Sequence, residues 1–247
     1  MPAGKFGRLP GTIPVGLHDL TYYVAGRLPK PPAKVAVPVI PAQPDGTPWG
    51  VDGNSDYGDC GVAGLNHLLR AIAADTREQE TFPAPDQVVS YYLAYTGGQD
   101  SGVVLSDFLA HVKQAGFYGH TVAAYAPVSV SDVNTLRFAI NAYGAYAGID
   151  VTEGMMQAVQ GGGPWTWTLD DLGGAVEGGH CIPLLGFDSS WIYAVSWGQV
   201  IRIAWPAWHE MAAEAWAVLA GEEVAAKTDG HGISLAALQA DLNRLRN

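Results

Sequence analysis

The chain has 247 residues, of which 48% are hydrophobic and 15% charged, and it carries a formal net charge of −11. This size allows one large or two small domains with a real core, and no run of 18 apolar residues predicts a membrane span. The acidic balance argues against a nucleic-acid partner, because the phosphate backbone attracts positive charge. Two cysteines, Cys60 and Cys181, make no disulfide framework. Together with an N-terminus that lacks the apolar region of a signal peptide, they favour an intracellular protein.

Residues 1–48 hold ten of the sixteen prolines. Because proline fixes φ and removes a backbone donor, we expect an extended arm with one short element near residues 19–25. Residues 1–47 contain five Lys and Arg against two Asp, a net charge of +3, which leaves −14 for the other 200 residues. The arm is therefore expected to bind an acidic surface, either on its own domain or on a neighbouring copy. The alternative is that scattered cations on a loose arm have no function.

The first half of the body is predicted to be helical. A turn rich in Gly and Asp, residues 54–59, leads into Cys60, and apolar residues then recur at helical spacing. Asp59 is a suitable N-cap, so Cys60 would open the helix, where the dipole and free N–H groups favour a thiolate. For this stretch alone, a small buried residue under a helix start is the alternative. Further helices are expected at 85–95 and 106–116.

The second half has the pattern of an antiparallel sheet, with strand-like runs that alternate with turn residues. The expected elements are, in order, strand 120–125, helix 132–143, strand 146–151, a loop region 152–179, strands 180–187, 191–197 and 200–204, and helices 205–219 and 234–245. This order along the chain, with helices in the first half and an antiparallel sheet in the second, predicts an α+β fold with the site between the two halves.

His180 starts one of these strands directly after a pair of glycines, 120 residues after Cys60. A cysteine nucleophile needs a base within hydrogen-bond reach, and histidine has a suitable pKa. A lone histidine is more often structural, but one at the mouth of a hairpin after a helix-capping cysteine is less ordinary. The next strand ends in Ser196-Trp197-Gly198.

Together these stretches resemble the papain-like cysteine peptidases. That family has a glutamine six residues before the cysteine that opens its central helix, then a histidine leading a strand, then Asn-Ser-Trp-Gly closing the next strand. Asn54, Cys60, His180 and the triplet 196–198 stand in those places here. The resemblance spans residues 50–203 and implies a helical half that carries Cys60 and an antiparallel half that carries His180. The whole chain is similar to papain-fold proteins of actinobacterial tailed phages.

The chain departs from the family pattern at the residue that would orient the histidine. The family asparagine would fall at Val195, which cannot hydrogen-bond an imidazole. Ser196 lies one residue further on, and a one-residue shift turns a side chain to the other face of the strand. A hairpin one residue longer or shorter would restore the face, so Ser196 is the candidate third residue. Asn54 keeps a carboxamide donor with one methylene fewer than glutamine.

The resemblance implies a thiol hydrolase that cleaves peptide or amide bonds and needs no cofactor or metal. Cys60 would attack the carbonyl, His180 would transfer the proton, and Asn54 with the Cys60 N–H would hold the oxyanion, while Ser196 orients the imidazole. We expect three parts: an extended basic arm at 1–48, a papain-like domain at 49–220 and a C-terminal tail helix at 221–247.

A second hypothesis is a virion structural protein, such as a capsid or tail decoration subunit, that uses the fold with little or no catalysis. The basic arm, the phage resemblance and the missing asparagine favour it. The expected partners are a peptide-like substrate for the hydrolase, or a virion shell protein or second copy bound through the arm. Neither nucleic acid nor a membrane is expected. The phage resemblance implies synthesis in the host cytoplasm and, for the structural role, residence in the virion.

Overall fold

The computed structural model describes residues 4–24, 28–41, 48–76, 81–160, 163–221 and 234–244. The helices are α1 (Leu20–Tyr23), α2 (Cys60–Thr76), α3 (Pro85–Tyr95), α4 (Leu105–Ala115), α5 (Val133–Ala142), α6 (Glu153–Ala158), α7 (Trp205–Met211) and α8 (Leu235–Arg244). The strands are β1 (Arg8–Leu9), β2 (Val103–Val104), β3 (Val122–Pro127), β4 (Ala145–Thr152), β5 (Trp165–Trp167), β6 (Val176–Phe187), β7 (Trp191–Ser196), β8 (Gln199–Ala204) and β9 (Ala212–Ala220). None of the helices within these ranges is long and apolar enough to cross a membrane.

Seven strands form one sheet in the order β3-β9-β4-β6-β7-β8-β5, and a separate parallel pair joins β1 to β2. The large sheet is antiparallel except for the parallel pair of β5 and β8. Helix α2 packs against β6, which sets the start of the helix beside the middle of the sheet. The predicted α+β class, with a helical first half and an antiparallel second half, is confirmed.

The long helix predicted at 205–219 is wrong. The helix ends at Met211, and Ala212–Ala220 form β9, which lies between β3 and β4. Alanine is a strong helix former, and this segment is rich in it, so local propensity points to a helix. Pairing with strands on both sides and burial of the Ala215–Ala220 side chains outweigh that preference.

The region expected to be a loop at 152–179 is also more ordered than predicted. It contains α6, the strand β5 and the start of β6. The aromatic ring of Trp167 is fully buried, and its Nε1 donates to the Met155 carbonyl oxygen at 3.0 Å. Both tryptophans of this region, Trp165 and Trp167, therefore pack into the core.

The described parts of the proline-rich arm lie against the chain's own domain. The predicted short element is α1, whose N-cap Asp19 accepts from the backbone N–H of Thr21. Further along, Val35 forms an antiparallel bridge with Phe187 at the end of β6. The tail helix α8 packs against β3 and α1. Of the predicted arm and tail, residues 1–3, 25–27, 42–47, 222–233 and 245–247 lie outside the described residues.

Candidate active site

Cys60 is the first residue of α2, as the sequence predicted. The carbonyl of Asp59 accepts from the N–H groups of Val62 and Ala63, which places Asp59 at the N-cap position. The cysteine side chain is 1% exposed. Tyr146 on β4 donates its hydroxyl to the Gly61 carbonyl at 2.6 Å. This bond ties the first turn of the helix to the sheet and fixes where the thiol lies.

The surroundings of the Cys60 thiol oppose its ionisation. Burial raises the pKa of Cys60 to about 12, although the backbone groups of Cys181, Gly7 and Gly61 stabilise the thiolate and oppose this rise. The backbone of Gly61, in the first turn of α2, acts in the direction that the sequence predicted, towards the thiolate. Desolvation of the charged sulfur outweighs the helix dipole and its N–H groups.

His180 lies in the middle of β6 and is also 1% exposed. Its Nε2 is 2.7 Å from the Ser196 hydroxyl oxygen, while its Nδ1 has no hydrogen-bond partner among the described residues. Burial lowers the pKa of His180 to about 3, so the imidazole is neutral. Among the described residues, one imidazole nitrogen of His180 is therefore hydrogen-bonded and the other is not. Its chain neighbour Cys181 contributes a backbone group to the Cys60 thiol.

The pairing of His180 with Ser196 depends on a β-bulge. The register between β6 and β7 shifts at Leu185, which is an extra residue on β6. Because side chains alternate between the faces of a strand, this shift turns Ser196 to the face that carries His180. In an unbulged hairpin Val195 would occupy that face. The bulge therefore supplies the one-residue change that the sequence left open.

Trp197 covers the imidazole. Its ring stacks on His180 with 4.5 Å between centroids and an interplanar angle of 20°. Trp197 and Gly198 have φ values of 47° and 75°, and they form a two-residue turn that joins β7 to β8. A left-handed conformation at a tryptophan costs about 1–3 kcal/mol. The stacking over His180 is the contact that this strained turn secures.

Asn54 is buried and lies in the turn before Cys60. Its Nδ2 donates to the Tyr57 carbonyl at 3.1 Å and to the Lys5 carbonyl at 3.2 Å. The second acceptor belongs to the N-terminal arm. The carboxamide therefore binds one backbone carbonyl of its own turn and one of the N-terminal arm.

The N-terminal residues Gly4–Leu9, which we call the strap, run through the cleft between the two halves. The Gly7 N–H donates to the Gly179 carbonyl at 3.2 Å, and the Gly7 carbonyl accepts from Val103 N–H at 2.7 Å. A Cβ on Gly7 would lie 1.6 Å from the Gly58 carbonyl oxygen. Only a glycine fits there, so the strap and the Gly58 backbone lie in close contact.

Side chains of the strap close the site further. Phe6 makes edge contacts with His180 and Trp197, with centroid distances of 6.1 and 6.3 Å. Lys5 forms an exposed ion pair with Asp100 at 3.3 Å. The burial of the thiol and imidazole, and hence their neutral state, follows in part from this cover.

The sequence analysis expected the arm on an acidic surface but did not place it in the cleft. The signals were present as glycines at Gly7 of the arm and at Gly58 and Gly179 of the walls. Such glycines allow two backbones to approach closely. Nothing in the sequence indicated that these glycines from three distant segments meet.

The fold is that of the papain-like cysteine proteases. Xylellain, a cysteine protease from Xylella fastidiosa, is similar with a TM-score of 0.63 and 13% identity over 88% of this chain and 96% of that one. Procathepsin L 3 from the Tenebrio molitor larval midgut has a TM-score of 0.57 and 14% identity over 88% and 76% of the two chains. The proform of Amb a 11, a ragweed pollen cysteine protease, has a TM-score of 0.56 and 14% identity over 85% and 71%.

Neither a protein-family model nor a curated protein sequence matches the chain. At these identities the likeness establishes the fold, so the predicted papain-like architecture is confirmed. Closeness to phage proteins stays a prediction.

Proposed function

We propose that the protein is a thiol hydrolase that cleaves peptide or amide bonds and that the strap holds it in a latent form. The observation that carries this proposal is the arrangement of His180 in the cleft that contains Cys60. Its Nε2 is 2.7 Å from the Ser196 hydroxyl, and its Nδ1 has no hydrogen-bond partner in the part of the chain that the structure describes. A base held at one nitrogen and available at the other is what a cysteine nucleophile requires. The fold that the chain shares with cysteine proteases also supports a thiol hydrolase.

The proposed chemistry assigns a role to each of four residues. His180 Nδ1 takes the proton of the Cys60 thiol as the sulfur bonds to the substrate carbonyl carbon. Asn54 Nδ2 and the Cys60 backbone N–H donate to the oxyanion, and the imidazolium returns its proton to the leaving amine. Water, deprotonated by His180, then hydrolyses the thioester and releases the carboxylic acid and the thiol. Ser196 orients the ring throughout.

Latency has a direct electrostatic cause. With Cys60 near a pKa of 12 and His180 near 3, proton transfer from thiol to imidazole is strongly unfavourable in the closed form. Departure of the strap rehydrates both groups, which lowers the first pKa and raises the second. The cleft then holds a reactive pair.

The test is alkylation of the full chain with iodoacetamide, followed at each cysteine by peptide mass spectrometry. Gly7→Ala must shift the strap, because its Cβ meets the Gly58 carbonyl. We expect Cys60 to be alkylated more than about 10²-fold faster in Gly7→Ala than in the wild type, because its pKa returns towards 8.5. Adding His180→Ala should remove most of that gain, whereas buried Cys181 stays slow and serves as the internal control.

Equally slow labelling of Cys60 in the Gly7→Ala chain with and without His180 would contradict the proposal. Arg8→Ala, which removes another strap contact, provides a second open variant should Gly7→Ala fail to fold. Cooperative thermal unfolding of each variant establishes that it is folded.

A second candidate is a non-catalytic virion subunit of phage origin, such as a decoration protein. The observation that favours it is the neutral, covered state of Cys60 and His180, which is also what a fold without catalysis would tolerate. Inert Cys60 in the open variants would support this candidate. Co-sedimentation of the chain with purified phage particles would then test the partner.

A further inference from the structure

Arg8 of the strap has a buried side chain that two carboxylates hold. Its side chain is 7% exposed, its Nη1 lies 2.7 Å from Asp150 Oδ1, and its Nε lies 3.1 Å from Glu214 Oε1. The Glu214 side chain is 16% exposed and that of Asp150 is 52% exposed. The guanidinium therefore enters a pocket that is closed at Glu214 and open to solvent at Asp150.

The register of the sheet builds this pocket. Glu214 on β9 is paired with Gly148 on β4, and Asp150, two residues along β4, is paired with Gly179 on β6. Residues two apart on a strand share a face, so both carboxylates flank the same patch of the sheet.

Two glycines form the floor of this patch. A Cβ at Gly148 would come within 2.7 Å of Arg8 Cδ and Nε, and one at Gly179 would lie 3.0 Å from Nη1. Because these two positions have no side chain, the Arg8 side chain has the space to lie between the two carboxylates.

Glu214 is held in place by a contact that does not involve the strap. Its Oε2 accepts from Trp216 Nε1 at 2.8 Å, which leaves Oε1 for the ligand. Two acceptors on different strands match two different N–H groups of a planar guanidinium, whereas the single ammonium of lysine has no such fork. The pocket thus has the geometry of an arginine site.

The pocket adjoins the candidate nucleophile. Arg8 directly follows Gly7, whose backbone lies at the Cys60 thiol. A peptide that ran through the cleft in place of the strap would present one of its side chains to Asp150 and Glu214. If Arg8 leaves, these two carboxylates lose the cation that pairs them, which favours binding of another cation.

We propose that Asp150 and Glu214 form a specificity subsite for an arginine side chain of a peptide substrate, which Arg8 fills until the strap leaves. That the bound peptide is a substrate rests on the proposed hydrolase function, whereas arginine binding by this pocket needs no catalysis. Asp150 and Glu214 would be binding residues that select which peptide reaches Cys60.

The main test measures peptide binding to the full chain carrying Gly7→Ala and Arg8→Ala, which frees the cleft and empties the pocket. Isothermal titration calorimetry compares acetyl-Phe-Gly-Arg-amide with the same peptide containing citrulline, a neutral isostere of arginine. We expect the arginine peptide to bind at least about tenfold more tightly than the citrulline peptide, because hydrogen bonds to charged groups contribute more than neutral ones. Glu214→Gln in the same chain should reduce the difference to about twofold or less, whereas Glu210→Gln, at an exposed glutamate on α7, should leave it intact.

A second measurement keeps the proposal testable if the double variant does not fold. Arg8→Ala alone lacks the part of the side chain that ethylguanidinium reproduces, and the exposed side of the pocket at Asp150 gives this probe an entrance. Millimolar ethylguanidinium should raise the Tm of Arg8→Ala but not of Arg8→Ala with Glu214→Gln. Ethylurea, the neutral control, should raise neither.

Equal affinity for the arginine and citrulline peptides, or a preference that survives Glu214→Gln, would overturn the proposal. So would an equal effect of ethylguanidinium and ethylurea on Arg8→Ala. An arginine preference in a chain whose Cys60 stays inert would support the pocket and contradict the hydrolase. A reactive Cys60 without that preference would support the hydrolase and overturn the arginine subsite.

Discussion

Ser196→Ala removes the one hydrogen bond to His180 Nε2 among the described residues, and its effect on stability can be estimated from the structure. Both side chains are buried, with 3% and 1% exposure, and the bond is 2.7 Å long. The substitution leaves a buried imidazole nitrogen without a partner, and alanine is too small to fill the space of the hydroxyl. An unsatisfied buried polar group costs about 1–3 kcal/mol. For a chain of this size we expect the Tm to fall by about 2–12 °C.

Thermal unfolding of Ser196→Ala should be compared with that of Ser106→Ala. Ser106 is also 3% exposed, but within the described ranges the one hydrogen bond of its hydroxyl is a 3.4 Å contact with Asp107 Oδ1. Its loss should therefore cost clearly less. A double-mutant cycle then isolates the pair, because Ser196→Ala should cost less when His180 is already alanine. Equal Tm losses for the two serine variants, together with additive effects in the cycle, would refute this account of the His180 environment.

Two further predictions concern pH and have opposite signs. Because burial lowers the pKa of His180 to about 3, the unfolded chain binds this proton first, and stability falls by up to about 1.4 kcal/mol per unit as pH drops from 6.5 towards 3. His180→Gln should flatten that slope in urea unfolding, and an unchanged slope would contradict the buried neutral state. Burial raises the pKa of Asp59 to about 8, so this carboxyl removes stability as pH rises from about 4 to 8. Asp59→Asn should therefore be more stable than the wild type at pH 8, with a gap that closes towards pH 4; equal stability at both pH values would show that Asp59 ionises freely.

Local sequence signals predicted the elements around the site. Helical spacing after Cys60 and the turn before it placed the start of α2 to the residue, because capping and amphipathic periodicity act over a few residues. The two strand-like runs at 180–187 and 191–197 predicted the hairpin of β6 and β7 for the same reason. These features are encoded within one or two elements of the chain.

Contacts between distant elements decided the rest. The alanine-rich segment 212–220 forms a strand because its backbone pairs with β3 on one side and β4 on the other. Local helix propensity contains no information about such pairing. The bulge at Leu185 decided that Ser196, and not Val195, faces His180. A bulge changes the face of every later side chain, but its position depends on packing across the hairpin.

The sequence by itself determined that this is an α+β chain with a cysteine at a helix start, a histidine on a strand and a basic, glycine-containing arm. Composition, periodicity and spacing are sufficient for these features because each is local. Only the tertiary structure decided that Gly7 crosses the cleft, that Cys60 and His180 are neutral, and that Arg8 lies between Asp150 and Glu214. Burial and charge depend on which distant segments cover a group, and that is a property of the folded chain alone.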